Sequence, residues 1–195
     1  NRNKFDEYLK LKKINKAITV STPPFFLLDK KHITEKIFPL SGISNKLTIN
    51  CNENNYFSKY NSDRYGFNNK DNLWDKKIEF LLIGDSFTHG ACVNYPDTFG
   101  GNFNKKYNTL NLGYGGNGPI MELGTIKEYI NIINPNKVIW FFAEKNDLEM
   151  IVSEFRHPIL RKYLTEQSFL QNLTKVQYRI YWKDEQIPKF DQFLH

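Results

Sequence analysis

The chain is poor in the residues that most often announce a function. Its 195 residues include two cysteines, two methionines and four histidines. Cys51 and Cys92 are too far apart for a Cys-x-x-Cys metal site, and one pair cannot build a disulfide framework. They are either two buried thiols or partners across the fold. No apolar run reaches the ~20 residues that a membrane helix needs, so no membrane segment is expected here. No signal-peptide pattern is visible, but the first residue is Asn1 rather than Met, and the native start is expected upstream. A basic stripe is lacking too. Lys plus Arg number 27 against 21 for Asp plus Glu, a formal charge of +6. The lysines are spread along the whole chain, which argues against a nucleic-acid partner. Heavy use of Lys, Asn, Ile, Phe and Tyr fits an AT-rich coding sequence and accounts for the balance.

What is present is enough apolar residue for a folded domain: 40% hydrophobic and 15% aromatic. The organising stretch is Ile78-Glu79-Phe80-Leu81-Leu82-Ile83 followed by Gly84-Asp85-Ser86. An apolar run closed by a glycine reads as a parallel strand buried on both faces. Beyond it strand and helix patterns alternate. A helix is expected over 96–106, a strand over 109–112, and a helix over 120–133 with Pro119 before it. A doubly buried strand follows over 137–143, and then helices over 148–155, 159–173 and 176–182. Such alternation predicts a parallel sheet with helices on its faces. Residues 1–76 read as a lead-in, with a helix over 7–18, a strand interrupted by Pro23-Pro24, and irregular structure over 50–72. Residues 77–195 read as the core.

In a flavodoxin-like order the first core strand lies between the second and third, and right-handed crossovers bring the loops after all three to one edge. Ser86 would then stand between Gly113-Tyr114-Gly115-Gly116-Asn117-Gly118 and Glu144-Lys145-Asn146-Asp147. Acyl transfer needs that arrangement. Serine attack on an ester carbonyl creates an oxyanion, which preorganised donors must meet. The Ser86 N–H near a helix start, a glycine N–H and the Asn146 amide supply three. The spelling Gly84-x-Ser86-x-Thr88 lacks the second glycine of the Gly-x-Ser-x-Gly elbow.

These blocks resemble the SGNH, or GDSL, hydrolase family. Gly84-Asp85-Ser86 resembles its first block, Asn111-Leu112-Gly113-Tyr114-Gly115-Gly116 its second, and Glu144-Lys145-Asn146-Asp147 its third, with Glu144 in place of a glycine. Asp63-Arg64-Tyr65-Gly66-Phe67-Asn68-Asn69 is similar to an element that precedes the nucleophile strand in bacterial members, read here as helping to wall the site. The resemblance spans roughly 63–147. It implies a three-layer α/β/α flavodoxin-like fold and a serine esterase or acyl-transfer enzyme without metal or organic cofactor. Ser86 is implied as the nucleophile, with Gly116 and Asn146 as oxyanion donors. An ester-bearing substrate, possibly on an envelope or exported polysaccharide, and an extracytoplasmic location follow from the same likeness. In that compartment a Cys51–Cys92 disulfide is expected, tying the lead-in to the loop after the nucleophile strand.

The family's Asp-x-x-His block, which carries the general base, is not found. Asp191-Gln192-Phe193-Leu194-His195 has one residue too many. His89 is expected at the mouth of the site, His157 as a surface or packing residue and His32 in the lead-in. With three core strands visible, the sheet is expected to be incomplete, the last strands and the base lying past His195, and ester turnover by these residues alone is expected to be poor. Two other readings are open. Ser86-Phe87-Thr88-His89-Gly90 could cradle a phosphate or flavin, or the domain could be a catalytically inactive binder of glycan or protein.

Overall fold

The computed structural model describes residues 4–28, 37–53 and 55–177. The expected helix over 176–182 therefore lies largely outside the described residues, as do His32, Asp191 and His195.

The lead-in is more ordered than its composition suggests. Helix α1, Lys4–Lys12, carries Asp6 and Glu7 in its first turn and Lys10 and Lys12 in its last, charges that complement the helix dipole. Strand β1, Ile18–Val20, pairs in parallel with β2, Leu47–Ile49, and β2 pairs antiparallel with β3, Lys59–Asn61. Tyr8, Ile18, Val20 and Ile49 form a small core of their own. Strands of three residues are too short to show a period, so this sheet was expected only in part.

Residues 63–69 form a turn built around one carboxylate. Asp63 is fully buried and accepts from the Tyr65 and Phe67 N–H groups, Asn69 Nδ2 and Trp74 Nε1 at 2.8–2.9 Å. Burial raises its pKa to about 6 even so. Arg64 faces outward to Asp71 and Asp75.

The second sheet has β4, Phe80–Ile83, between β5, Thr109–Asn111, and β6, Lys137–Trp140, all parallel. The centre of the sheet is the expected one. Helix α2, Ser86–His89, follows β4; α3, Phe99–Phe103, precedes β5; and α4, Pro119–Ile133, leads to β6. Then come α5, Glu144–Arg156, α6, Pro158–Thr165, and α7, Leu173–Val176. Helix α4 packs on β4, α5, α6 and α7. Leu81, Ile83, Leu110, Leu112, Ile120 and Tyr129 join Phe38, Leu40 and Phe67 of the lead-in in the main core. The fold is mixed α/β with a parallel sheet and helices packed on it.

In the lead-in, the helix expected over 7–18 lies instead at Lys4–Lys12, since Ile18 already belongs to β1. In the core, three expectations change. The helix expected over 96–106 shrinks to α3 after a single 3-10 turn at Tyr95–Asp97, where the backbone of Gly101 lies too close to the Tyr95 carbonyl for any side chain. The helix expected over 159–173 stops at Thr165, where Lys127 of α4 donates to the Tyr163 and Glu166 carbonyls, and beyond it Glu128 accepts the Gln171 and Leu173 N–H groups. Strand β6, expected to be doubly buried, leaves Val138 and Trp140 43% exposed. It is an edge of the sheet among the described residues.

Candidate functional site

The turn after β4 is fixed residue by residue. Gly84 has φ +156°, and a Cβ there would lie 2.2 Å from Thr88 Oγ1, so only glycine fits. Asp85 caps α2, its carboxylate accepting the Phe87 N–H at 2.9 Å. Gly90 closes the helix in the left-handed conformation at φ +74°. Ser86 is the first residue of α2 and lines an open cleft of about 310 Å³ with Phe87, Ala91, Val93, Phe99, Asp97 and Glu53. With four residues, α2 gives little dipole support, so any donor role rests on individual N–H groups. Thr88 and His89 turn inward and are buried, so the hydroxyl-rich surface a phosphate cradle needs is reduced to Ser86.

The loop after β5 comes back onto this turn. The Tyr114 N–H donates to the Gly84 carbonyl at 3.1 Å, and the Asn117 N–H donates to the Tyr114 carbonyl. Residues 114–117 thus form a β-turn with Gly116 at φ +80° in its third position, where a type II turn requires a left-handed residue. A Cβ on Gly115 would lie 3.7 Å from Ser86 Cβ, whereas one on Gly116 would run into Pro23 and Phe25. Gly115 is therefore the glycine of the turn that faces Ser86, and Gly116 faces the lead-in one residue on. A Cβ on Gly113 would meet Thr88 at 2.6 Å.

The third loop arrives as expected in order. The Phe141 N–H donates to the Ile83 carbonyl at 2.9 Å, and the chain enters α5 at Glu144. Glu144, standing in place of a glycine, suits a helix N-terminus. Asn146 lies in the first turn of α5, its side chain outside what the structure describes. Asp147 is buried and accepts the Ala143 N–H at 2.7 Å. Burial raises its pKa, and the nearby charge of Asp85 raises it further.

Beneath these loops lies a set of acids that the sequence did not flag. Glu154 of α5 accepts from the Gly118, Ile120 and Met121 N–H groups and so caps α4 from another helix. Its pKa is raised to about 7 by burial. Glu122 accepts from Trp140 Nε1 and is pushed up to about 8, chiefly by burial and then by Asp147, Asp85 and Glu154. Among the described residues no cluster of histidine, cysteine, aspartate and glutamate is suited to a metal ion, and no helix is long and apolar enough to cross a membrane.

The Tyr-Gly-Phe-Asn-Asn element ties the lead-in to the site from below. Asn69 exchanges two 2.9 Å hydrogen bonds with the Asn111 backbone. The Asn111 side chain accepts the Gly113 N–H and donates to the Thr88 carbonyl, and Asn68 donates to the His89 carbonyl. Asn68 and Asn69 also line a second groove, between β3 and Asn94–Pro96. Cys51 and Cys92 form a disulfide, joining the lead-in to the wall of the Ser86 cleft.

His89 differs from expectation, whereas His157 takes the packing role expected as one of its alternatives. His89 is buried at 1% exposure, its ring stacked on Tyr114 at 4.8 Å and edge-on to Tyr60 at 5.3 Å. His157 packs edge-on to Phe38 at 4.6 Å. Neither is hydrogen-bonded to Ser86.

No family model matches the chain, and comparison with curated proteins and with solved structures returns no match.

Proposed function

We propose that the protein is an SGNH-type serine hydrolase or acyl-transfer domain, with Ser86 as nucleophile and donors from the loops after β5 and β6. The single observation that carries this reading is the approach of Gly115 to Ser86, where an added Cβ would lie 3.7 Å from Ser86 Cβ, at the carboxyl edge of the central strand. A half-buried serine lining a partly apolar cleft suits a short acyl ester. The Gly115 N–H is taken by His89, so this reading assigns the next N–H of the turn, that of Gly116, and the Asn146 amide as oxyanion donors. The order β5-β4-β6 is the one a flavodoxin-like three-layer fold requires. The substrate is an ester-bearing small molecule or glycan, and the disulfide suits an extracytoplasmic compartment.

The test is hydrolysis of p-nitrophenyl acetate and longer acyl esters. The expected signal is small, saturable and lost in Ser86→Ala, with Asn146→Ala lowering the rate by about a hundredfold or more. Turnover that survives Ser86→Ala refutes the assignment.

A second reading has one observation in its favour. No described histidine is bonded to Ser86, and a pocket without a base would bind its ester or glycan without turning it over. Ligand binding that depends on the Ser86 cleft, with turnover at the buffer level, would select this second reading.

A further inference from the structure

His89 lies three residues beyond Ser86 on the same short helix, which invites the role of general base, and its bonding argues against that role. Nδ1 accepts the Gly115 N–H at 3.3 Å. A neutral imidazole whose Nδ1 is an acceptor carries its proton on Nε2, and Nε2 is buried without a hydrogen-bond partner among the described residues. No lone pair is left to take a proton from serine. Burial also pulls the ring down to about 3, far from the range in which a base works at neutral pH.

What the ring holds is the glycine turn. Gly115 and Gly116 impose little conformation of their own, so the turn depends on bonds to its neighbours. Its first residue is anchored by the Tyr114 N–H on the Gly84 carbonyl, and its last by Asn117 Nδ2 on the Leu40 carbonyl. The middle is held from α2 by His89. The ring itself cannot swing, being stacked on Tyr114 and met by the edge of Tyr60, while Asn68 fixes the backbone beneath it. Ser86 and the acceptor for Gly115 thus ride on the same rigid turn of helix.

We propose that His89 is a positioning residue whose Nδ1, by taking the Gly115 amide, fixes the glycine turn against Ser86. This rests on the reading of Ser86 as nucleophile. A displacement of about 1 Å at such a turn is enough to cost up to a hundredfold in reactivity.

The experiment combines nitrogen NMR of the imidazole, amide exchange at Gly115, and the rate at which a fluorophosphonate labels Ser86. The wild-type ring should be protonated at Nε2, with Nδ1 hydrogen-bonded. His89→Leu keeps the bulk and removes the acceptor, and should speed Gly115 exchange and slow labelling, each by about tenfold or more. His89→Asn, whose Oδ1 lies where Nδ1 was, should recover most of both; His89→Gln, one methylene longer, should not. Should His89→Leu fail to fold, the Asn and Gln variants carry the comparison. A folded His89→Leu with unchanged Gly115 exchange overturns the proposal, as does His89→Asn behaving no better than His89→Gln, or a wild-type ring protonated at Nδ1. Failure of the wild-type Ser86 to react would instead remove the serine reading, leaving exchange and tautomer to decide the role of His89.

Discussion

The two flanks of β4 are built differently. On the β5 side the turn is closely fitted: Gly84 and Gly113 fit against Thr88, Asn111 bonds both Gly113 and Thr88, and His89 holds Gly115. On the β6 side Val138, Trp140 and Phe142 of the strand and its exit, and Leu148, Val152 and Phe155 of α5, are all about half exposed. The first flank draws its definition from buried polar side chains, and the second contributes strand pairing with little burial. A site needing sub-ångström placement is therefore expected on the β5 side, where Ser86 and the glycine turn meet.

Four measurements sharpen or break that contrast, taken from the largest expected effect. Asp63 satisfies four donors on the lead-in turn, and Asp63→Ala leaves them buried without an acceptor. A loss of about 3–5 kcal/mol in chemical denaturation is expected, and a much smaller one for the exposed Asp75→Ala. Equal effects would show that the turn is not a structural tie. Next comes the disulfide, which closes a separation of 41 residues; Cys92→Ser should cost about 2–5 kcal/mol, and alkylation of both thiols without reductant would contradict the bridge.

The buried acids give a pH dependence. Glu122 is pushed from about 4.5 to about 8 on folding, so between those values the native state binds the proton that the unfolded state has released. Stability should accordingly fall as pH rises through that window, and Glu122→Gln should flatten the fall. A profile identical in both proteins removes Glu122 as its source. The smallest effect belongs to the open flank. Val138→Ala should cost less than about 1 kcal/mol, whereas Leu81→Ala in the fully buried β4 should cost about 2–5 kcal/mol. Comparable losses would mean that the β6 face is covered in solution.

Much of the core was legible in the chain, for local reasons. The run ending at Ile83, the glycine after it, the Pro119 start of α4 and the apolar β6 each write their structure into adjacent residues. The strand order and the meeting of the Ser86 and Gly115 loops follow from connection rules. What stayed hidden depends on partners distant in sequence. The lead-in sheet has strands of three residues with no readable period, Glu154 caps a helix that begins some 35 residues earlier, and His89 looks like a surface residue until Tyr60 and Tyr114 close over it. Alignment of its block singles out Gly116, whereas the glycine whose Cβ position faces Ser86 is Gly115, a distinction of one residue that only the turn geometry makes.

The central claim, that the loops after β4 and β5 form one reactive site, is tested most directly by mass spectrometry after treatment with a fluorophosphonate. The account predicts a single adduct on Ser86 that is absent from Ser86→Ala and slowed when Gly116, at φ +80°, is replaced by alanine, whose methyl would run into Pro23 and Phe25 and distort the turn. No adduct at Ser86, or labelling that persists at another serine in Ser86→Ala, would contradict it.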